Sequence, residues 1–446
     1  MKKLVIFLGL CLMVIDTFGQ SRYDSLWSNA AVEQRIQQGI EKNRKGDAAI
    51  LISTKNGKLP KNAKIEVQQL THDFQFGSNI FMLNGYQKPE QNKRYEEIFK
   101  SLFNTACVPF YWKTLEPEEG KLRYEAGSKE IYRRPPPDVV LDWCEKNGIT
   151  PKGHTLVWDN VTHANPEWMP RDTAIMQQKI NQRISQLGKR YGDRVKTWDV
   201  VNELLSYHAT AIQMPDNYGL KAFQQFSKSF PKTTRGFINE TTSIWTNYHR
   251  EYSPYNLLIE NTRLKGAKID GIGLQFHFFS EPLHYDVVAG KSITPKTVFD
   301  VLDLYGKYNL PIHISEITIP TLPFDETGLQ NQAKMTRNFY RIWFSHEAVE
   351  AIVWWNVSDG TAVAGEDKWR GGFLNEDMSP KPSYHALNEL INKEWKTTFI
   401  KNVDSNNVAF RGFYGEYLVK ITVGKQVTEK KFSIKKGQKN ELSIEI

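Results

Sequence analysis

The stretch Val195-Lys-Thr-Trp-Asp-Val-Val-Asn-Glu203 is apolar and β-branched, lacks Gly and Pro, and ends on the polar pair Asn202-Glu203. A second short run of the same kind, Pro311-Ile-His-Ile-Ser-Glu316, also ends on a carboxylate. Runs of this type are typical of buried strands. In a parallel β/α barrel the carboxyl ends of all strands meet at one face, so both Glu side chains are expected to reach one pocket. The two stretches therefore predict an α/β fold, a (β/α)8 TIM barrel.

Further apolar runs at suitable spacing complete the predicted barrel. The stretch 195–203 is the fourth strand and 312–317 the seventh, while helical patterns such as 248–264 and 329–346 fill the intervals. Strands and helices thus alternate as a parallel barrel requires. The fifth strand is the weakest prediction, because it includes a Gly and has no long apolar run. The other predicted strands are 72–77, 103–112, 148–158, 235–240, 269–279 and 351–357.

The two ends of the chain differ in pattern from the barrel, which we predict to occupy residues 71–394. Residues 1–19 combine Lys2-Lys3, an apolar run and a small-residue region, the pattern of a secretory signal peptide, and predict a secreted or periplasmic protein. Residues 20–70 predict a helix followed by a β-hairpin that turns at Asn56-Gly57. Residues 395–446 form short alternating strands, a small all-β accessory unit that the hairpin is expected to complete.

Several blocks of the sequence resemble glycoside hydrolase family 10, the family best known for xylanases. Trp198-Asp-Val-Val-Asn-Glu203 resembles its acid/base motif, and His313-Ile-Ser-Glu316 is similar to its nucleophile motif. The resemblance is nearly continuous from about residue 76 to about residue 391, and implies a barrel that cleaves β-glycosidic bonds with retention. The other matching blocks are Lys152-Gly-His-Thr-Leu-Val-Trp158, Ile269-Asp-Gly-Ile-Gly-Leu-Gln-Phe-His277, Val353-Trp-Trp-Asn-Val-Ser-Asp359 and Lys381-Pro-Ser-Tyr384.

The resemblance implies a role for each candidate site residue. Glu203 would be the acid/base and Glu316 the nucleophile, with carboxyl groups about 5 Å apart as in retaining glycosidases. Asn202 would bond the sugar 2-hydroxyl. Taken singly, a Glu at a strand end more often forms a salt bridge, an Asn there caps a helix, and Trp or His is a core residue. The full set of implied substrate-binding residues is Tyr111, His154, Trp158, Asn202, Gln275, His277 and Trp355.

The sequence also departs from the family pattern. Where many members have Glu-Asn-x-x-Lys-Trp, this chain has Cys107-Val-Pro-Phe-Tyr-Trp112, so only the Trp matches, and Tyr111 offers a ring and a hydroxyl in place of an ammonium. Asp159 stands where the family often has His, and Asn356 where it has Gly. We therefore expect the chemistry to persist while recognition of the glycone sugars changes. Arg133-Arg-Pro-Pro-Pro137 is predicted to be an exposed bend.

Composition limits the partners and cofactors. The aromatic content of 12% suits stacking on sugar faces, although aromatic residues are core residues by default. The net charge of +8 is dispersed except at 425–439, which favours a solvated surface over a nucleic-acid site. Beyond the signal peptide no stretch predicts a membrane span. Cys107 and Cys144 are predicted to be buried thiols, and the scattered His163, His208 and His284 give no metal spacing, so we expect no cofactor.

The preferred prediction is a secreted retaining hydrolase of a xylan-related plant-type polysaccharide or oligosaccharide. One alternative is a non-catalytic carbohydrate-binding protein on a glycosidase barrel. Another is a glycosidase with the same chemistry that acts on a different β-glycan. The presence of Glu203 and Glu316 together with Gln275 and His277 favours an enzyme, because a pure binder needs neither an acid nor a nucleophile.

Overall fold

Eight parallel strands close into a barrel at the centre of the molecule. The computed structural model describes residues 21–54, 62–206 and 212–446. Around the barrel the hydrogen-bonded order of the strands follows the chain, and the last strand closes on the first. The barrel strands are β3 (Gln75–Asn79), β4 (Thr105–Pro109), β5 (Thr150–Trp158), β6 (Thr197–Asn202), β7 (Arg235–Glu240), β8 (Gly271–His277), β9 (Ile312–Thr318) and β10 (Val349–Trp354). The predicted TIM barrel and each of its eight predicted strands are confirmed.

Helices connect the strands and cover the outside of the barrel. Their apolar faces pack on the strands in one continuous core. The helices are α1 (Arg22–Trp27), α2 (Ala30–Arg44), α3 (Pro89–Leu102), α4 (Trp112–Leu115), α5 (Pro137–Asn147), α6 (Thr173–Tyr191), α7 (Tyr218–Ser229), α8 (Ser243–Thr246), α9 (Pro254–Leu264), α10 (Glu281–Val288), α11 (Pro295–Gly306), α12 (Glu326–Ser345) and α13 (Pro382–Glu389), with single turns at Arg250–Tyr252, Asp367–Trp369 and Leu390–Glu394.

Strand β7 has a weak sequence signal because it packs closely against its surroundings. A Cβ atom at Gly236 would lie 2.8 Å from the Phe226 ring of α7 and 2.9 Å from a methyl group of Val200 on β6. Real Cβ contacts are longer than this, so the glycine lets α7 approach the sheet. The short strand is therefore genuine, although the glycine weakens the strand pattern in the sequence.

A second structural unit joins the two ends of the chain. Strand β1 (Lys45–Ser53) pairs with two C-terminal strands in a three-stranded sheet, and β2 (Lys64–Gln69) pairs with two others in a four-stranded sheet. The predicted hairpin is therefore wrong, since β1 and β2 belong to different sheets, and the predicted turn at 56–57 lies outside the described residues. The pairing of residues 45–69 with the C-terminal strands is confirmed. Those strands are β11 (Thr398–Asn402), β12 (Asn407–Phe413), β13 (Gly415–Val423), β14 (Gln426–Ile434) and β15 (Asn440–Glu445).

The two sheets enclose a small core of their own, and an arginine links this unit to the barrel. Ile50 and Ile65 are fully buried between the sheets. Arg44, at the end of α2, is buried and donates hydrogen bonds to the carbonyl oxygens of Phe344, His346 and, at 2.7 Å, Val349. These carbonyls lie at the end of α12 and the start of β10, so α2 and β1 are fixed to the amino-terminal end of the barrel.

Three further predictions concern the thiols, the membrane and the N-terminus. Cys107 and Cys144 are both free and buried, as expected. None of the helices within 21–54, 62–206 and 212–446 is both long and apolar enough to cross a bilayer. The predicted signal peptide at 1–19 lies outside the described residues.

The core of the two-sheet unit should contribute to stability through Ile65. Ile65→Ala removes a fully buried side chain and should lower the free energy of unfolding by about 2–5 kcal/mol. The matched control is Ile400→Ala on the neighbouring strand β11, where the side chain is 66% exposed and the loss should stay within about 0.5 kcal/mol. Urea denaturation of both variants measures the difference, and equal losses would contradict this packing.

Candidate active site

The register of the barrel strands brings Glu203 and Glu316 to the same pocket. Gln275 on β8 lies directly opposite Glu316 on β9. Its side-chain nitrogen Nε2 donates hydrogen bonds of 3.0 Å to Glu316 Oε1 and of 3.0 Å to Glu203 Oε1. These two carboxyl oxygens therefore lie at most twice 3.0 Å apart, which is compatible with the carboxyl separation of about 5–5.5 Å in retaining glycosidases.

Irregular strand pairing precedes each carboxylate. On β9 the register shifts between the pairs Leu274–Ile314 and Gln275–Glu316, and on β6 it shifts at Val200 against β7. Such bulges turn the following side chains, and they are frequent near active sites. Glu203 itself has φ +56°, in the left-handed region, and its backbone N–H donates to the carbonyl oxygen of Asn239 at 2.9 Å. Local backbone geometry thus directs both acids into the pocket.

Donors surround the Glu316 carboxylate. Asn239 Nδ2 donates to Glu316 Oε1 at 2.8 Å and to Asn202 Oδ1 at 2.7 Å. Burial raises the pKa of Glu316 to about 8; His154 acts against this rise, while the negative charges of Glu203 and Asp199 add to it. The amide donors favour the ionised form and so offset part of the effect of burial on Glu316.

A buried ion pair lies behind His154. The Nζ atom of Lys152 is 2.9 Å from Asp199 Oδ1, and Asp199 Oδ2 is 2.9 Å from His154 Nδ1. Burial alone would raise the pKa of Asp199, but Lys152 and His154 hold it below its usual value. The other ring nitrogen of His154 lies 3.9 Å from Glu316 Oε1. The carboxylate of Asp199 therefore fixes the orientation of the His154 ring beside Glu316.

His277 contacts the other oxygen of Glu316. Its Nε2 lies 3.3 Å from Glu316 Oε2, and its Nδ1 lies 2.9 Å from Thr318 Oγ1. Burial lowers the pKa of His277 to about 4, while Glu366 and Glu203 act against that fall. The ring is thus neutral near pH 7 and stacks on Phe279, with centroids 4.6 Å apart. A neutral His277 that donates from Nε2 accepts the Thr318 hydroxyl at Nδ1.

Aromatic rings line the cavity, whose volume is about 360 Å³. Trp355 is buried, with its ring centroid 5.5 Å from that of His154 and 5.9 Å from that of His277. Trp354 is fully buried on the opposite face of β10, as predicted from strand alternation. The predicted site residues all line this one cavity, namely Tyr111, His154, Trp158, Asn202, Glu203, Gln275, His277, Glu316 and Trp355.

Sequence reasoning missed one polar residue of the site and misjudged another region. Asn239 is fully buried and holds both Asn202 and Glu316. The pair Asn239-Glu240 ends β7 as Asn202-Glu203 ends β6, and this repetition was the available signal. The bend at 133–137 was predicted to be exposed, yet Arg133 is 3% and Arg134 9% exposed, and both line the cavity. That prediction is wrong because rings from other segments cover the two arginines.

The histidines give no metal site in the described ranges. His163 stacks on Trp158 in the cavity, while His284 is buried and hydrogen-bonds the carbonyl oxygen of Leu322. His208 lies outside the described residues. Within 21–54, 62–206 and 212–446 no group of three His, Cys, Asp or Glu side chains could hold a metal ion.

A closed parallel barrel with two facing carboxylates at the carboxyl ends of its strands is the architecture of the barrel glycoside hydrolases. Residues 69–390 match the model of Glycosyl hydrolase family 10, and the chain belongs to that family. It is 27% identical over 339 residues to endo-1,4-beta-xylanase B of Thermotoga neapolitana, covering 72% of this chain and 89% of the relative. Native xylanase 10B of Thermotoga maritima has the same fold, with a TM-score of 0.58, 24% identity, and coverage of 72% of this chain and 96% of that one.

Other relatives are longer than this chain. The anti-sigma-I factor RsgI6 of Acetivibrio thermocellus is 25% identical over 393 residues, which cover 87% of this chain but 46% of that protein. The endo-1,4-beta-xylanase 5-like protein of Arabidopsis thaliana is 26% identical over 408 residues, covering 86% of this chain and 63% of that protein. The chain thus spans about half to two thirds of the length of these two curated relatives.

The position of Asn239 depends on Gly273, which permits a direct test. A Cβ atom at Gly273 would lie 2.1 Å from Asn239 Oδ1. Gly273→Ala should displace Asn239 from Glu316 and lower kcat on an activated aryl β-glycoside about tenfold or more, because small misplacements of catalytic groups are costly.

The control for this substitution is Gly306→Ala, where the nearest atom to the added Cβ is the far end of the His346 ring at 3.3 Å. Gly306→Ala should keep wild-type kcat. Thermal unfolding of both variants separates a positioning effect from general loss of stability. Unchanged kcat in Gly273→Ala would show that Asn239 does not position Glu316.

Proposed function

We propose that this protein is a retaining glycoside hydrolase that cleaves β-glycosidic bonds in a xylan-related polysaccharide or oligosaccharide. The observation that supports this most strongly is the single amide nitrogen of Gln275, which lies 3.0 Å from a carboxyl oxygen of Glu203 and 3.0 Å from one of Glu316. That arrangement suits a nucleophile and an acid/base that act on one anomeric carbon, as in a retaining reaction.

In this proposal Glu316 is the nucleophile and Glu203 the acid/base. The amide donors of Asn239 and Gln275 both point at Glu316 Oε1, at 2.8 and 3.0 Å, which favours its ionised form. Burial acts in the opposite direction on Glu316, and we assign the proton of the acid pair to Glu203 because these two donors require a negative charge at Glu316 Oε1 to be fully used. Two acids with different surroundings can thus take different roles in one pocket.

The reaction proceeds in two displacements. Glu203 gives its proton to the glycosidic oxygen while Glu316 attacks the anomeric carbon, so the bond to the leaving sugar breaks as an ester to Glu316 forms. Glu203, now ionised, takes a proton from water, and the resulting hydroxide opens the ester. The sugar leaves with its original configuration, and Glu203 is protonated again. His277 and Asn239 hold Glu316 in place through both steps, at 3.3 and 2.8 Å.

The substrate class follows from the relatives and from the cavity. Matched relatives are named endo-1,4-beta-xylanases, and xylanase 10B of Thermotoga petrophila, which shares the fold, was solved in complex with xylobiose. The side chains at the glycone end differ here, since Cys107 and Val108 are buried and apolar. We therefore propose a substrate related to xylan in which the glycone sugars are substituted or different.

A non-catalytic role in carbohydrate binding is the second candidate, because one matched relative is named an anti-sigma-I factor. The buried Glu316 argues for catalysis. Burial of an acid is costly, and a binding site gains nothing from two acids held around one amide nitrogen. We also propose that the protein is secreted or periplasmic, on the pattern of residues 1–19.

The roles of the two acids can be separated by mutation. Glu316→Gln should abolish turnover of all substrates, because no glycosyl ester can form. Glu203→Ala should lose activity on polysaccharide by about 10²–10⁴-fold yet still release an activated leaving group such as dinitrophenolate, which needs no proton. Added azide should rescue Glu203→Ala and give a β-glycosyl azide.

Glu347→Gln serves as the control, since Glu347 is exposed and lies away from the carboxyl ends of the strands. Activity is followed by reducing-sugar release and the anomer by proton NMR. Full activity of Glu203→Ala on polysaccharide would refute the role of Glu203, and an α-anomer as first product would refute retention.

The pH profile should depend on the leaving group. With one proton shared by the acid pair, the pKa of about 8 at Glu316 marks the pH at which the pair loses its last proton. Below that pH the acid is present, so kcat/KM on oligosaccharides should fall as the pH rises through about 8. For a dinitrophenyl glycoside this alkaline fall should vanish, because no acid is required. An identical fall for both substrates would contradict the assignment.

A further inference from the structure

Two buried arginines form one wall of the cavity together with Phe81 and Tyr111. We call this the glycone wall, because Tyr111 occupies the position of the family Lys. Arg133 and Arg134 lie between α4 and α5, and both reach the cavity that holds the acid pair. They are 3% and 9% exposed. Burial of a guanidinium is unfavourable unless acceptors or an opposite charge compensate it. The two side chains differ in how far the protein provides that compensation.

Arg133 has a structural role. Its guanidinium donates to the carbonyl oxygen of Thr361 and, at 2.8 Å, to Asn356 Oδ1. Asn356 also accepts from Asn79 at 3.5 Å and donates to Glu366 at 3.4 Å. Arg133 therefore links the loop before α5 to the loop after β10 and, through Asn356, to the end of β3.

Arg134 is held between rings and has few acceptors. Its guanidinium carbon lies 4.2 Å from the centroid of Tyr111 and 5.0 Å from that of Phe81. Within the described residues the Arg134 guanidinium donates one hydrogen bond, from Nη1 to the Arg133 carbonyl oxygen at 2.9 Å. No carboxylate oxygen of those residues lies within 4.0 Å of the guanidinium. A guanidinium has five N–H donors, so most of those of Arg134 have no protein acceptor among the described residues, and the side chain lines the cavity.

We infer that Arg134 binds a carboxylate on the glycone part of the substrate, so that the preferred β-glycan bears a uronic acid. This inference rests on the proposed hydrolase function and specifies its substrate. A carboxylate matches the planar fork of a guanidinium and can accept two parallel hydrogen bonds. The stacking on Tyr111 and Phe81 fixes the fork in advance, so little side-chain freedom is lost on binding.

The charge balance of the wall agrees with an anionic ligand. Burial lowers the pKa of Arg134 to about 10, with Tyr111 acting against the fall, so the side chain stays cationic near neutral pH. Glu366 lines the same cavity and is the opposing charge. Glu366 accepts a hydrogen bond from Asn356 and lies more than 4.0 Å from Arg134, so it forms no direct ion pair with the guanidinium.

Three of the residues that depart from the family pattern lie around these arginines. Tyr111, in place of the family Lys, is the ring on which Arg134 stacks. Asn356, in place of Gly, is the acceptor for Arg133. Cys107 packs with Phe81 and Tyr111 in a small apolar cluster. These departures lie together in the glycone wall. There the guanidinium of Arg134, carried by a loop, provides the positive charge that the family Lys would provide at position 111.

The test uses two substrates that differ in a single group. A xylo-oligosaccharide bearing glucuronic acid is compared with the same oligosaccharide after chemical reduction of its carboxyl to an alcohol. Wild-type kcat/KM should be about 10- to 100-fold higher for the acid, as expected for a hydrogen bond to a charged group. The preference should shrink in high salt. Equal kcat/KM for the two substrates would overturn the inference.

Variants assign any preference to Arg134. Arg134→Gln should lower kcat/KM on the acid by about 10- to 100-fold more than on the neutral substrate, so that the preference is lost, and Arg134→Lys should restore part of it. Arg171→Gln, at an exposed arginine, is the control for total charge and should retain the full preference. Glu366→Gln should increase the preference, because it removes a repelling charge. If Arg134→Gln lowered activity on both substrates equally, Arg134 would contact neutral hydroxyls instead.

A failure of the proposed function gives a different result from a failure of this inference. If the wild type hydrolyses neither oligosaccharide, calorimetric titration of the wild type with each one tests binding alone. Tighter binding of the acid that is lost in Arg134→Gln would support the carboxylate site and count against xylan hydrolysis. Equal or undetectable binding of both would refute the carboxylate site.

Discussion

The site depends on one constraint. The amide nitrogen of Gln275 donates hydrogen bonds to two carboxylates, Glu203 after β6 and Glu316 on β9. Gln275 can do this because β8 and β9 pair with Gln275 opposite Glu316, and because a register shift just before that pair turns Glu316 inward. Asn239 adds a second link, from β7 to both Asn202 and Glu316. A glycine at 273 leaves room for the Asn239 side chain. Strand register, and not the choice of acids alone, therefore determines the distance between the acids.

Burial of the site opposes one requirement of its chemistry, which is that the nucleophile be ionised. Removing water from Glu316 raises its pKa, yet a nucleophile must be ionised to attack. Amide donors oppose the effect of burial, since they stabilise the carboxylate anion of Glu316 without adding a formal charge to the pocket. Burial also disfavours the cation of His277, so this side chain is a neutral donor as well. In this pocket neutral donors thus replace the water that an exposed carboxylate would bind.

Much of the barrel was predictable because its strands are continuous apolar runs, and both acids follow such runs. Sequence patterns failed where tertiary contacts decide the outcome. Strand β7 gave a weak signal because Gly236 is required by the Phe226 ring. The hairpin was predicted from a local turn signal, which cannot reveal that β1 and β2 enter different sheets. Arg134 was predicted to be exposed because an Arg-Arg-Pro-Pro-Pro segment is polar, whereas rings distant in sequence bury it.

The separation of chemistry from recognition has a structural basis in this barrel. The acid pair and its donors belong to the neighbouring strands β6 to β9, where a shift of a fraction of an ångström would alter the reaction. The glycone wall instead combines residues after β3, β4 and β10 with a loop arginine. Exchanging an ammonium at position 111 for a ring therefore leaves the pairing of Gln275 with Glu316 intact. The positive charge of the wall now comes from Arg134, on a segment that can change without moving a catalytic strand.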